Sequence, residues 1–456
     1  MSSSTAAGAD RVWSVSEHLD NILRQLRPLE PIELQLLDAQ GCVLVEDVMV
    51  PVSLPPFENS SMDGYAVRTT DTQGADGEHP AVLTVIGDVA AGSGEPPAVG
   101  PGEAARIMTG APLPPGAEAV VPVEWTDGGS GEPGPVSGMA AASRTPGASS
   151  GEVRVYRQVE AGAHVRARGS DVVAGELALA AGTVLGPPQI ALLAAVGRAA
   201  VRVRPRPRVV VMSTGSELVP PGEALGPGRI HDSNSYMLTA AARDAGAQAY
   251  RVGAVADDAE TFRATVEDQL IRADLVVTSG GVSVGAYDVV KEALGEEIEF
   301  RTLAMQPGKP QGFGFVDAGA RAEPPTPPTT DAAAEDEEAA AEPERTPLVA
   351  LPGNPVSAYV SFELFVRPAI RTLMGVEPVH RPSVRAVCPT GVTSSPKGRR
   401  QFLRGRHEAD AGTVTPVGGA GSHLVGALAH ANSLIVVPED VTEIAAGSEV
   451  DVVLLD

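Results

Sequence analysis

From residue 208 onward the chain repeats one unit: a short apolar run, a turn of small residues, then an amphipathic segment. Residues 208–212 (RVVVM) run into Ser213-Thr214-Gly215, 275–278 (LVVT) into Ser279-Gly280-Gly281, and 348–351 (LVAL) into Pro352-Gly353-Asn354-Pro355. Between and after them, 234–246, 261–273 and a stretch reaching about Met374 carry helical spacing, with Phe262, Val266 and Leu270 on one side of the second. Strands that alternate with helices can pair only as neighbours in a parallel sheet, so this region predicts a doubly wound α/β domain. In such sheets ligands bind beyond the carboxyl ends of the strands. All three small-residue turns fall at that edge, where backbone N–H groups can cradle an anion. None has the phosphate-loop spacing GxxxxGK[ST] or the dinucleotide spacing GxGxxG, which counts against ordinary ATPase and dehydrogenase readings.

The first half reads differently. Ser14-Val15-Ser16-Glu17 has capping-box spacing, and Val15, Leu19, Ile22 and Leu26 follow at helical intervals. From about 32 to 203, short Val- and Leu-rich runs broken by Pro and Gly predict β-rich subdomains, and the last 80 residues predict a C-terminal β domain. Two stretches do not read as core. Residues 127–151 hold 15 Gly, Ser or Pro among 25 and read as a mobile loop. Residues 321–346 hold eight acids against two arginines and no Val, Ile, Leu or aromatic side chain. They read as a disordered acidic insertion, unable to bury enough apolar surface to offset its ordering.

Charge narrows the partners. With 34 Lys and Arg against 58 Asp and Glu the net charge is −24, a field that repels nucleic acid. No apolar stretch approaches the roughly 18 residues of a membrane span, and MSSSTAAGADRVW lacks the basic flank and apolar run of a secretory signal. Cys42 and Cys388 have no metal-ligand spacing, and the expectation is a cytoplasmic protein with both thiols reduced.

Several side chains could do chemistry at the glycine-turn edge. Glu217 follows the first turn, Ser279 and Ser283 offer hydroxyls in SGGVSVGAYD, and Asp288 closes that loop. Asp232, Asp257 and Asp258 stand on neighbouring loops. Converging carboxylates would hold Mg2+ through oxygen while leaving positions for a phosphate substrate. No HExxH, CxxC or histidine cluster suggests zinc, and no GxSxG elbow appears. Lysine occurs only at 291, 309 and 397, and in Gln306-Pro307-Gly308-Lys309-Pro310 the flanking prolines would present Lys309 as a fixed point charge. Three polar clusters lie in the front half: FENSSMDGYA around Asp63, RIMTGA around Thr109, and RARGSD with Arg166, Arg168 and Asp171. Paired arginines can clasp an oxyanion or simply pair with Asp171.

Taken in order, FENSSMDGYAVR, RIMTGAPLPPGAEAVVPVE, VRARGSDVVAGE, STGSEL, GRIHDSN, SGGVSVGAYD, QPGKP, LPGNPVSAYVSFELFVRP, GRRQFLRG and GSHLVGALAHANSLIVVPE resemble the molybdopterin molybdenumtransferase family, which includes bacterial MoeA and the E domain of gephyrin. The match spans about residues 12–452 apart from the two low-complexity stretches. The resemblance implies a homodimer with four subdomains per subunit. These are an elongated one at 1–48 plus 154–190, an inserted β-rich one at 49–153, a molybdopterin-binding α/β one at 191–376 and a C-terminal β-barrel-like one at 377–456. It implies that adenylylated molybdopterin and molybdate give molybdenum cofactor and AMP with the help of Mg2+. The active cleft would lie between the α/β subdomain of one subunit and the inserted subdomain of the other.

On this resemblance, Asp63, Thr109, Asp171, Glu217, Asp257, Asp288 and Lys309 are the catalytic candidates. Glu217, Asp257 and Asp288 would hold Mg2+. Arg166, Arg168, Ser213, Thr214, Gly215, Ser279, Gly280, Gly281, Ser283, Gln306, Pro307, Gly353 and Asn354 would bind substrate. Gln306 stands where some relatives carry a basic residue, so a retuned oxyanion affinity is expected. Transient contact with the upstream adenylyltransferase is also expected. That smaller protein resembles 205–376 here but lacks the MDGYA, RIMTG and RGSD segments. A non-catalytic scaffold or carrier of the same fold, and a paralogue specialised for another oxyanion such as tungstate, are the alternatives.

Overall fold

Ser14 caps the first helix, α1 (Val15–Gln25): its Oγ accepts from the Glu17 N–H at 3.1 Å, and Glu17 Oε2 accepts from the Ser14 N–H at 2.8 Å. This reciprocal pair satisfies two backbone donors that a helix start otherwise leaves open. The structure, a computed structural model, describes residues 11–92, 94–139, 151–282, 288–317 and 345–456. Two compact units divide the chain, Met1–Leu34 with Gly41–Val45 and Arg202–Asp456, and Gln35–Gln40 with Glu46–Val201.

The first unit is built on a seven-stranded sheet. Its strands are β1 (Val12–Trp13), β2 (Arg208–Thr214), β3 (Gln248–Val255), β4 (Leu275–Ser279), β5 (Ile298–Leu303), β6 (Pro310–Asp317) and β7 (Arg345–Leu351), in the order β1-β5-β6-β7-β4-β2-β3. The stretch β7-β4-β2-β3 is parallel, as strand–helix alternation requires. Beyond it the sheet is mixed: β6 runs antiparallel to both β5 and β7. The connection from β5 to β6 has no room for a crossover helix, so these strands can pair only by reversing direction.

Side chains alternate across the sheet, and helices cover both faces. Val209, Val211, Leu275, Val277, Val349 and Leu351 pack with α1, α2 (Asn234–Asp244) and the helical run after β7. Val210, Met212, Val276, Leu348 and Ala350 pack with α3 (Ala259–Leu270) and α4 (Val289–Leu294). Fully burying such a side chain is worth roughly 1.5–3 kcal/mol, so the interior of the sheet anchors the strand ends that carry the turns. The run after β7 is not one regular helix. It comprises α5 (Pro355–Ser361), a π-helical segment Phe362–Val366, and α6 (Arg367–Met374), where Pro368 supplies no N–H to an i−4 bond.

Within the same unit the C-terminal strands close a five-stranded barrel. Arg400–Glu408 pairs with both Thr413–Pro416 and Ser433–Val437, and the ring is completed through Ser383–Cys388 and Ser448–Leu454. Met305–Gln306 adds in parallel to Arg400–Gln401, which ties the QPGKP turn to the barrel.

The second unit holds a five-stranded sheet in the order Gly151–Val155, Ala81–Val89, Glu103–Ile107, Gly64–Val67, Ala119–Pro122. The Gly/Ser/Pro stretch 127–151, expected to be a mobile loop, is anchored at its start, and its residues 140–150 lie outside the described residues. Asp127 is buried, and its Oδ1 accepts from the N–H groups of Gly129 and Arg154 at 3.0 Å each. The strand after the acidic stretch begins at Arg345, three residues before the apolar run 348–351. Arg345 and Thr346 pair with Asp317 and Val316 in register, and Arg345 Nε reaches Asp317 Oδ1 at 2.8 Å. The rest of the acidic stretch, 321–344, lies outside the described residues. Among the described residues no helix is long and apolar enough to cross a membrane.

Candidate functional site

At the carboxyl edge of the sheet the three turns meet in a cleft of about 710 Å³. Ser213, Thr214 and Gly215 line it from β2, Ser279, Gly280 and Gly281 from β4, and Gly353 and Asn354 from β7, as their places at the strand ends predict. The turns touch closely. A Cβ on Gly280, whose φ is +101°, would lie 2.6 Å from the Thr214 carbonyl oxygen, so only glycine fits there. Glu217, Asp257 and Asp288 border the same cleft. Asp257 Oδ2 accepts from the Ser216 N–H at 2.7 Å, and Asp288 Oδ2 lies 3.4 Å from Lys291 Nζ. Among the described residues no three His, Cys, Asp or Glu side chains gather closely enough to hold a metal ion by themselves. Ser283 lies outside the described residues.

Two further cleft residues organise the floor: Asp232, one of the acids noted from sequence, and Asn234, which was not singled out. Asp232 is 2% exposed and accepts from Ser213 Oγ at 3.1 Å, from the Ser235 N–H at 3.0 Å and from Ser235 Oγ. Asn234, the first residue of α2, donates through Nδ2 to Ser279 Oγ at 2.8 Å and to the Gly353 carbonyl at 2.7 Å. Because a carbonyl can only accept, the amide is fixed with its nitrogen toward Gly353. One side chain thus ties the β4 turn to the β7 turn. Both residues belong to GRIHDSN, but an Asx residue at a helix start reads first as an ordinary cap.

A second cavity of about 480 Å³ adjoins the first and shares Pro310, Ser357 and His423 with it. Gln306, Pro307 and Lys309 line it, together with Arg399 and Ala420–His423 from the barrel side. Lys309 is exposed and Arg399 half-buried, and among the described residues neither forms an ion pair. Two cations without a carboxylate partner, facing one small cavity, suit a compact dianion. Arg399, Ser357 and His423 were likewise not singled out, though each lies in a quoted motif.

The remaining candidates stand on the second unit, where three front-half motifs come together. Asn59–Ser60 pairs with Val165–Arg166, Gly64–Val67 pairs with Glu103–Ile107, and the Gly110 N–H donates to the Ser60 carbonyl at 2.8 Å. Thr109 donates to Asp63 Oδ1 twice, from its N–H at 2.7 Å and from Oγ1 at 2.9 Å. This leaves the other carboxylate oxygen of an exposed Asp63 for another partner. Arg166 and Arg168 are exposed, and among the described residues neither pairs with Asp171. The Asp171 turn is held instead by backbone bonds to Leu54 and Pro55.

Known proteins match along the whole chain. Residues 13–197 match the MoeA N-terminal region (domain I and II), 210–372 the probable molybdopterin binding domain, and 385–455 the MoeA C-terminal region (domain IV). Molybdopterin molybdenumtransferase 2 of Mycobacterium tuberculosis strain H37Rv is 44% identical over 447 residues, covering 96% of this chain and 98% of that protein. Molybdopterin molybdenumtransferase 1 of the same strain is 38% identical, covering 97% and 99%. The crystal structure of a molybdopterin biosynthesis MoeA protein from Pyrococcus horikoshii superimposes with a TM-score of 0.68 at 31% identity, covering 98% of this chain and 100% of that one. With the three MoeA segments in order and relatives matched from end to end, the chain belongs to the MoeA family.

Proposed function

We propose that this enzyme is a transferase that inserts molybdenum into molybdopterin, taking the adenylylated form with molybdate and releasing AMP. One observation carries the assignment: a cleft floored by three backbone-rich turns and bordered by acids opens onto a second cavity that presents Lys309 and Arg399. The pyrophosphate-bearing substrate fits the first, and molybdate, a compact dianion, fits the second. The shared wall of Pro310, Ser357 and His423 brings the two reactants side by side.

Glu217, Asp257 and Asp288 are the residues that would hold Mg2+, which supplies charge neutralisation on the pyrophosphate. That these acids line the cleft without closing a cage matches an ion that uses one or two carboxylates and completes its shell with substrate phosphates and water. Asp63, Thr109, Asp171, Arg166 and Arg168 would serve the cleft of a second copy in a homodimer. Met49, Val52, Phe57, Val173 and Leu177, exposed on the second unit, supply apolar surface for that association. The four-part division 1–48 plus 154–190, 49–153, 191–376 and 377–456 is retained in this reading. Transient contact with an upstream adenylyltransferase would hand over the adenylylated intermediate. A cytoplasmic location accords with Cys42 and Cys388, both buried and neither in a disulfide.

The test is incubation of purified protein with adenylylated molybdopterin, Mg2+ and molybdate, following AMP by chromatography. Molybdate-dependent AMP release that falls with Asp288→Asn supports the transferase. Tight binding of the nucleotide without AMP release in any oxyanion would refute it in favour of a carrier or scaffold. Release with tungstate alone would replace the oxyanion assignment.

A further inference from the structure

We infer that Gln311, which lies behind the second cavity and does not line it, is the positioning residue that sets Lys309 for the oxyanion. The inference rests on the assignment of Lys309 and Arg399 to molybdate.

Gln311 follows the QPGKP turn by one residue, on β6, and is 1% exposed. Its Nε2 donates to the Gly308 carbonyl at 2.7 Å and to Ser361 Oγ at 2.6 Å. The carbonyl can only accept, so the amide orientation is fixed, and Oε1 is left buried with no partner among the described residues. A buried carbonyl without a donor costs stability that an apolar side chain of similar size would not. Gln311 is therefore poorly suited to be a packing residue, and its worth lies in the two bonds its nitrogen makes.

Those bonds hold the turn from beneath. Gly308 sits at φ +98°, and a Cβ there would lie 2.8 Å from Ser361 Oγ and 3.0 Å from Met305 Cε, so the turn is already pressed against α5. On the other side the Leu303 N–H donates to the Lys309 carbonyl at 2.8 Å. Gly308 and Lys309 are thus pinned in succession, one by Gln311 and one by β5. Ser361 lies one helical turn after Ser357, which lines both cavities, so the clamp joins the cation's turn to the helix that walls the site. Without the clamp the backbone under Lys309 can shift, and a charge held on a flexible stem loses its fixed place opposite Arg399.

The experiment compares Gln311→Met, Gln311→Glu, Ser361→Ala and Lys309→Met. It measures thermal midpoint, equilibrium binding of molybdate alone, and KM for molybdate and for adenylylated molybdopterin. Expected for Gln311→Met is a small fall in thermal midpoint, since the Gly308 carbonyl and Ser361 lose their donor while the unpartnered Oε1 is removed, with molybdate binding and KM weakened about tenfold and KM for the nucleotide within twofold. Gln311→Glu, the same size without a donor, should weaken molybdate at least as much, and Ser361→Ala less. If Lys309→Met weakens molybdate while both Gln311 variants leave it unchanged, the clamp is refuted and the cavity assignment stands. If Lys309→Met leaves molybdate binding unchanged, the cavity assignment itself fails. A uniform fall in stability and in both affinities for the Gln311 variants would make the residue merely structural and overturn the inference.

Discussion

His18 offers a direct test of how the α/β core is packed. It lies on α1 with no exposed surface, its ring meets Phe365 edge-on at 4.9 Å, and neither ring nitrogen has a hydrogen-bond partner among the described residues. Burial pushes its pKa down from the usual 6.5 to about 3, and the nearby Arg301 guanidinium adds to the shift. Because the folded state resists protonation more than the unfolded chain, the stability His18 allows is complete above about pH 6.5. It falls at about 1.4 kcal/mol per pH unit below that, until the folded pKa is reached. Between pH 7 and pH 5 the expected loss from this one side chain is about 2 kcal/mol. His18→Leu is close in volume and removes both unsatisfied nitrogens, so stability at pH 7 should change by less than about 1.5 kcal/mol in either direction. Urea unfolding of both proteins at pH 7 and pH 5 measures the difference. Trp125→Phe in both leaves Trp13, two residues before α1, as the reporter. Carboxylates titrate alike in the two proteins and cancel, so the parent should lose about 2 kcal/mol more than the variant. Equal losses would refute a neutral, dry His18.

Two other perturbations follow from buried partners. Asn234→Asp keeps the size of the side chain but cannot donate to Ser279 Oγ or the Gly353 carbonyl. About 1–3 kcal/mol of stability should go, and binding of adenylylated molybdopterin should weaken, read by thermal unfolding and titration. Glu363, 5% exposed, meets Arg381 Nε at 2.9 Å while the exposed Asp244 holds Arg381 Nη2 at 2.8 Å, so Glu363→Ala should cost about 1–3 kcal/mol in urea unfolding because the guanidinium loses its buried partner and keeps only the exposed one.

The parts of the fold that were legible in sequence are those set by local pattern. The starts of β2 and β4 coincide with their apolar runs, and the α1 cap is written in four residues. What escaped depends on partners far along the chain. Thr346 belongs to a strand because Val316 is opposite it, and nothing in PERT announces that pairing. The reversal of β6 follows from a short connection between two strands, neither of which stood out beside the glycine turns. Site residues divide the same way. Glu217, Asp288 and Lys309 are recognisable by type and by the turns they occupy. Asn234 looks like a cap, Gln311 like an ordinary strand residue, and Arg399 like one arginine among many. Their roles appear only when Gly353, Gly308 and Lys309 come within reach.

The division of charge between the two cavities carries the last prediction. The chain has a net charge of −24, so its long-range field opposes both anionic reactants. In the large cleft the bordering carboxylates Glu217, Asp232, Asp257 and Asp288 face no lysine or arginine in the lining, and the donors are backbone N–H groups, Ser and Thr hydroxyls, Asn amides and the rings of His231 and His423. A pyrophosphate placed there meets like charge at short range, worth about 4 kcal/mol per pair at 4 Å and an effective dielectric of 20. A divalent cation turns that repulsion into attraction. The smaller cavity has the opposite balance, with Lys309 and Arg399 and no bordering acid. Binding of adenylylated molybdopterin should therefore require Mg2+ and weaken at least tenfold when EDTA removes it. Molybdate binding measured alone should not change on chelation, and should fall steeply with added salt, which screens the two cations. Nucleotide affinity indifferent to EDTA, or molybdate affinity that depends on Mg2+, would show that the charges of the two cavities do not divide the work between them.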